Sequence, residues 1–125
     1  MTEIHAPEGE FNAAVLAASL IGEHVADTVE ILNKLEPSQA ADVVRLLPRD
    51  VAIEILDKPE LDFGAEIIET LPRYVAAPLL AGMSADMAAD IVQLLEEPAK
   101  TELLGALDDV SRAAIVGLLA DPENT

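Results

Sequence analysis

A period of 24 residues runs through most of the chain and restricts the folds open to it. Ala41, Ala65, Ala89 and Ala113 share one phase of that period, and Val43, Ile67, Ile91 and Ile115 share the next apolar phase. Leu47, Leu71, Leu95 and Leu119 close each word, while Glu36, Glu60, Ser84 and Asp108 open it. Pro48 and Pro72 follow the closing leucine in two copies, and a second apolar pair comes later in each unit: Ile55-Leu56, Leu79-Leu80 and Leu103-Leu104. Each unit is thus a helix–turn–helix, with three complete copies and part of a fourth. A unit this short cannot bury its apolar face alone, so the copies must stack. The expected fold is all-α, a solenoid of short helical hairpins.

The word Ser84–Leu95 shows the local logic. Met87, Ala88, Ile91, Leu94 and Leu95 fall at helical spacing and predict one apolar face, with Asp86, Asp90 and Gln93 opposite. Ser84 is suited to cap the N-terminus, and Asp86 to sit near the positive end of the helix dipole.

In chain order, residues 1–9 carry Pro7 and Gly9 without periodicity and are expected to form a disordered tail. The helical unit is expected over residues 10–120, with 121–125 as an exit linker toward a further domain. Asn12–Gly22 is nearly apolar but shorter than the roughly eighteen residues a membrane span requires, so it predicts a buried or capping helix. Further helices are predicted over Glu23–Leu35, from Pro37 or Ser38 to Leu47, Val51–Asp57, Leu61–Leu71, Arg73–Met83, Pro98–Leu107 and Asp108–Leu119. Pro78 lies inside one of these and is expected to cost a backbone hydrogen bond near that helix's first turn. Pro98 is expected at the first helical position, where its missing N–H does no harm.

Composition then narrows function. Apolar residues make up 51% of the chain, yet Phe11, Phe63 and Tyr74 are its only aromatics, so the core must be Leu, Ile, Val and Ala. Without cysteine there is no disulfide, zinc knuckle or thiol chemistry. Seven basic against 24 acidic side chains give a formal charge of −17, which argues against nucleic acid and anionic lipid and for cations or basic protein surfaces. Of the two histidines, His24 has Asp27 nearby but no serine or cysteine to activate, and no phosphate loop or nucleophile elbow is present. An enzyme is not expected.

The carboxylates are better organised. Asp42, Glu66 and Asp90 share one phase, Asp62 and Asp86 another, and Glu54 and Glu102 a third. Asp62/Glu66 and Asp86/Asp90 are therefore expected as i,i+4 pairs on successive copies. An all-oxygen set suits Mg²⁺, with Ca²⁺ or Mn²⁺ as substitutes, and not zinc or copper. One helix face cannot complete the shell, so such a site would be weak or finished by another domain. A purely solvated acidic face explains the same spacing.

With the repeats in view, the chain resembles the N-terminal domain of the MgtE family of magnesium channels and transporters. The resemblance spans about residues 23–125 and rests on His24-Val-Ala-Asp27, Leu46-Leu47-Pro48, Ala52-Ile-Glu-Ile-Leu56, Ser84-Ala-Asp-Met-Ala-Ala-Asp90 and Leu118-Leu-Ala-Asp-Pro-Glu123. A related superhelix occurs in the flagellar-switch protein FliG. The resemblance implies a right-handed superhelix, a cytoplasmic location beneath an inner-membrane pore domain, and a regulatory role. In that role, Mg²⁺ bridges the domain to paired CBS domains, and loss of the ion releases it. The family's metal-contacting positions correspond to Glu54, Asp86 and Asp90. Val25 stands where the family usually has proline after that histidine, and neither the CBS domains nor the pore lies in this sequence. The competing expectation is a metal-independent scaffold for protein–protein contacts.

Overall fold

The computed structural model describes residues 11–119, which form nine helices and no strand. They are α1 (Ala13–Leu20), α2 (Val25–Asn33), α3 (Pro37–Leu46), α4 (Arg49–Leu56), α5 (Gly64–Thr70), α6 (Arg73–Gly82), α7 (Ala85–Leu94), α8 (Ala99–Ala106) and α9 (Asp109–Leu119). The expected tail over 1–9 and linker over 121–125 lie outside the described residues.

Each helix packs chiefly on the one two places along. The odd helices α1, α3, α5, α7 and α9 form one row, and the even helices α2, α4, α6 and α8 form the other. This is the arrangement that a repeating hairpin produces, and it is consistent with the expected solenoid. Val43, Ile67, Ile91 and Ile115, one per unit, are all buried in the core. Ile55, Leu80 and Leu103 belong to the same core from the even helices and are fully buried. Alanines at 40, 41, 76, 88 and 89 are buried as well, so helix axes approach closely without aromatic bulk.

The helix ends follow local chemistry. Ser84 Oγ accepts from the Met87 amide at 3.4 Å, and an Asp108 carboxylate oxygen accepts from the Ser111 amide at 3.1 Å. Glu36 heads α3, where its own amide donates to Gln39 Oε1 at 3.0 Å, and Pro37 fills the first helical position. Leu47, Leu71 and Leu95 each end a helix in extended backbone while their side chains stay buried. Pro48 and Pro72 then start the return helices as N-caps.

Several expectations are corrected. Leu94 does not join the core: it is 72% exposed, because α7 buries Ala88, Ala89, Ile91, Val92 and Leu95 and Leu94 lies past the edge of that stripe. The helix expected over Leu61–Leu71 begins only at Gly64, since Lys58-Pro59-Glu60 continues as turns through Phe63. Asn33 holds that loop, donating from Nδ2 to the Glu60 carbonyl at 2.9 Å and accepting from the Asp62 amide at 2.8 Å. The Val51–Asp57 helix starts earlier, at Arg49, directly after its proline cap. Pro78 is the sixth residue of α6, beyond the first turn, and Pro98 is the N-cap of α8 and not its first helical residue. Ala113 is exposed, unlike its counterparts, because no further copy within the described residues packs over α9.

Candidate metal-binding acidic face

Glu54 projects from the return helix α4, while Asp86 and Asp90 stand one turn apart on α7. All three are exposed, and none has a hydrogen-bonding or ion-pair partner among the described residues. The contrast with Glu102, which shares the phase of Glu54, is informative. Arg73 Nε reaches Glu102 Oε1 at 2.9 Å and neutralises it. One repeat before Arg73 stands Arg49, and a further repeat before that stands Val25. The position that would neutralise Glu54 is therefore apolar, and its carboxylate is left to solvent and ions.

The structure places Asp86 and Asp90 together, as their spacing predicts, with Cβ atoms about 5–6 Å apart as for any i,i+4 pair. The matching pair does not form on one helix. Asp62 precedes α5 in the loop held by Asn33, whereas Glu66 lies in the first turn of α5. Among the described residues, no three His, Asp or Glu side chains gather closely enough to hold a metal ion. Two adjacent carboxylates offer one or two inner-sphere oxygens at most, and Mg²⁺ gives up its waters reluctantly. The donor chemistry fits a hard divalent cation, and the donor number fits half of a site.

Asp90 also borders an open groove of about 490 Å³ between α5 and α7. Its floor includes Leu61, Gly64, Ala65, Met87, Ile91 and Leu94. Four further carboxylates, Asp62, Glu66, Glu69 and Glu96, stand around it, with Lys58 as the single basic lining residue. Sequence periodicity treats Met87 and Leu94 as core. Met87 is instead half-buried at the edge of the core and Leu94 is exposed, and both border this groove.

Two other carboxylates are perturbed, and neither is in the groove. A hydrogen bond from the Thr101 hydroxyl, 2.6 Å long, holds Glu97 below the usual carboxylate range. The Ser111 side chain and amide do the same for Asp108. Both are capping interactions at helix starts. His24 occupies the N-cap position of α2 without a side-chain capping bond, and His5 lies outside the described residues.

No helix among the described residues is long and apolar enough to cross a membrane. Two rows of short aliphatic helices with an acidic surface define an all-α helical-repeat domain. The family model of the MgtE intracellular N domain matches residues 23–124, and the chain belongs to that family, a class of non-catalytic regulatory domains of magnesium transporters. No curated protein and no solved structure gives a significant match.

Proposed function

We propose that the domain senses Mg²⁺ through Glu54 on α4 and, separately, the Asp86/Asp90 pair on α7, which hold Mg²⁺ ions against CBS domains of the same transporter. Transport then belongs to a pore domain elsewhere in that protein, and this domain works on the cytoplasmic side as its regulator. Ca²⁺ or Mn²⁺ would substitute at the same oxygens. The observation that carries the reading is the unneutralised state of these three carboxylates beside the neutralised Glu102.

The energetics favour a shared site. Two carboxylates about 6 Å apart repel by about 0.7 kcal/mol in water, too little for one pair to move a domain. Facing pairs in a drier interface repel several times more strongly, and a bridging cation removes that cost. At high Mg²⁺ the domain is held, and at low Mg²⁺ it is released.

The test is a Mg²⁺ titration of the ¹⁵N-labelled chain at constant ionic strength. The expected result is weak binding, with amide shifts concentrated at Asp86, Asp90 and Glu54. Shifts spread evenly over all exposed carboxylates would mean diffuse screening and would remove the assignment.

A further inference from the structure

The groove between α5 and α7 has a chemistry that a metal ion leaves unused. By the 24-residue period α5 should begin at Leu61, matching Pro37 of α3 and Ala85 of α7, but its first turn is absent. A groove runs between the shortened α5 with its preceding loop and α7. Met87, Ile91 and Leu94 line it at i, i+4 and i+7, and Leu94 is 72% exposed. Asp62, Glu66, Glu69, Asp90 and Glu96 surround this apolar strip, against Lys58 alone.

We infer that this groove docks a cationic amphipathic helix of a partner protein. A bare cation would satisfy the rim but leave Leu94 and the open side of Met87 in water, whereas an apolar stripe flanked by Lys and Arg satisfies both. A second copy of this chain is disfavoured by its charge of −17. The ends of the sequence are no better suited, since Met1–Glu10 carries Glu3, Glu8 and Glu10, and Ala120–Thr125 carries Asp121 and Glu123. The ten residues of α7 span about 15 Å, so the occupant contributes two to three turns with apolar residues at i, i+3 or i+4, and i+7. Of the three proposed metal ligands only Asp90 borders the groove, so the two functions can be separated by mutation.

The probe is a fluorescein-labelled peptide of about fourteen residues made of leucine and lysine, with leucines at helical spacing. A scrambled isomer of the same composition is the control. Anisotropy is measured against the complete chain at ~0.15 M salt, where long-range attraction is screened. The amphipathic peptide should bind at least about tenfold more tightly than its isomer, because only it presents a continuous apolar stripe. Leu94→Ser should weaken it about tenfold, and Asp62→Asn/Glu66→Gln about fivefold. Leu94 is mostly exposed, so its replacement leaves the fold intact. Asp42→Asn/Asp50→Asn removes equal charge outside the groove and should change binding by less than about twofold. Equal binding of the isomer, or equal loss from the two charge pairs, would overturn the proposal.

Discussion

The Asp62 amide donates to Asn33 Oδ1 across 2.8 Å, so the last residue of α2 fixes the loop that precedes α5. One repeat later Asp57 stands at the same phase and does the same work. Its Oδ1 accepts from both the amide and the hydroxyl of Ser84, each at 3.1 Å, at the head of α7. The next positions at this phase are Ala81 and Gly105, which have no side chain able to reach, so the stitch stops with the Asp57–Ser84 contact.

Asn33→Ala removes both of its hydrogen bonds, and because water can reach the freed groups the cost should be about 1 kcal/mol. Asp57→Ala should cost a similar amount, while Asp57→Asn keeps an acceptor and should cost less. Urea unfolding curves of the three variants check this order.

Neighbouring apolar residues on α7 should behave very differently. Ile91 is 5% exposed and packed in the core, so Ile91→Ala should cost about 2–4 kcal/mol. Leu95→Ala, also buried, should fall in the same range of about 2–4 kcal/mol. Leu94→Ala should stay within about 0.5 kcal/mol of the parent. Thermal unfolding of the three variants separates the core side of the stripe from its groove side.

That contrast marks how far sequence reasoning reaches. The buried phases of Val43, Leu47 and Ile55 were readable, because burial in a stacked core imposes the same aliphatic choice in each copy, whereas the equally buried phase of Val44, Ile68 and Val92 was passed over. The exposed end of the stripe was not readable. Met87 and Leu94 have the spacing of core residues, but Met87 is only half-buried at the core's edge and Leu94 is exposed, as are Leu46 and Leu118 at the same phase. The late start of α5 was hidden, since Leu61 and Ala65 continue a helical pattern that the Asn33 hydrogen bonds override. Asn33 and Asp57 did carry a signal, being polar residues exactly one period apart, but their role depends on loops 27–29 residues further on. The lone state of Glu54 was equally legible in principle, from Val25 standing two periods before Arg73.

Acid should weaken the caps of α8 and α9 before it unfolds the chain. Glu97 and Asp108 have folded-state pKa values held below their unfolded ones, so their stabilisation is present above the ordinary carboxylate range. It is lost as pH falls through the depressed folded values. Protonation of the other acids relieves self-repulsion and acts in the opposite direction, so the informative quantity is a difference. The gap in melting temperature between the parent and Asp108→Ala should be widest near neutrality and close as pH falls through that range. A gap that stays constant would mean the Asp108 cap does not depend on its charge.

The Arg73–Glu102 pair should matter more for charge placement than for stability. Both side chains are partly exposed, so Arg73→Met should cost no more than about 1 kcal/mol. It should, however, leave Glu102 as open to cations as Glu54. A new Mg²⁺-dependent shift at the Glu102 amide in the variant would register this, and its absence would show that phase alone does not make a cation contact.

The most direct test of Mg²⁺-dependent holding is limited proteolysis of the full-length protein from which this domain comes, with and without Mg²⁺ at constant ionic strength. The account predicts that Mg²⁺ protects the segment that follows residue 119, and that Asp86→Asn/Asp90→Asn abolishes the protection without changing the circular dichroism of the domain. Equal cleavage with and without Mg²⁺, or full protection in the double variant, would contradict it.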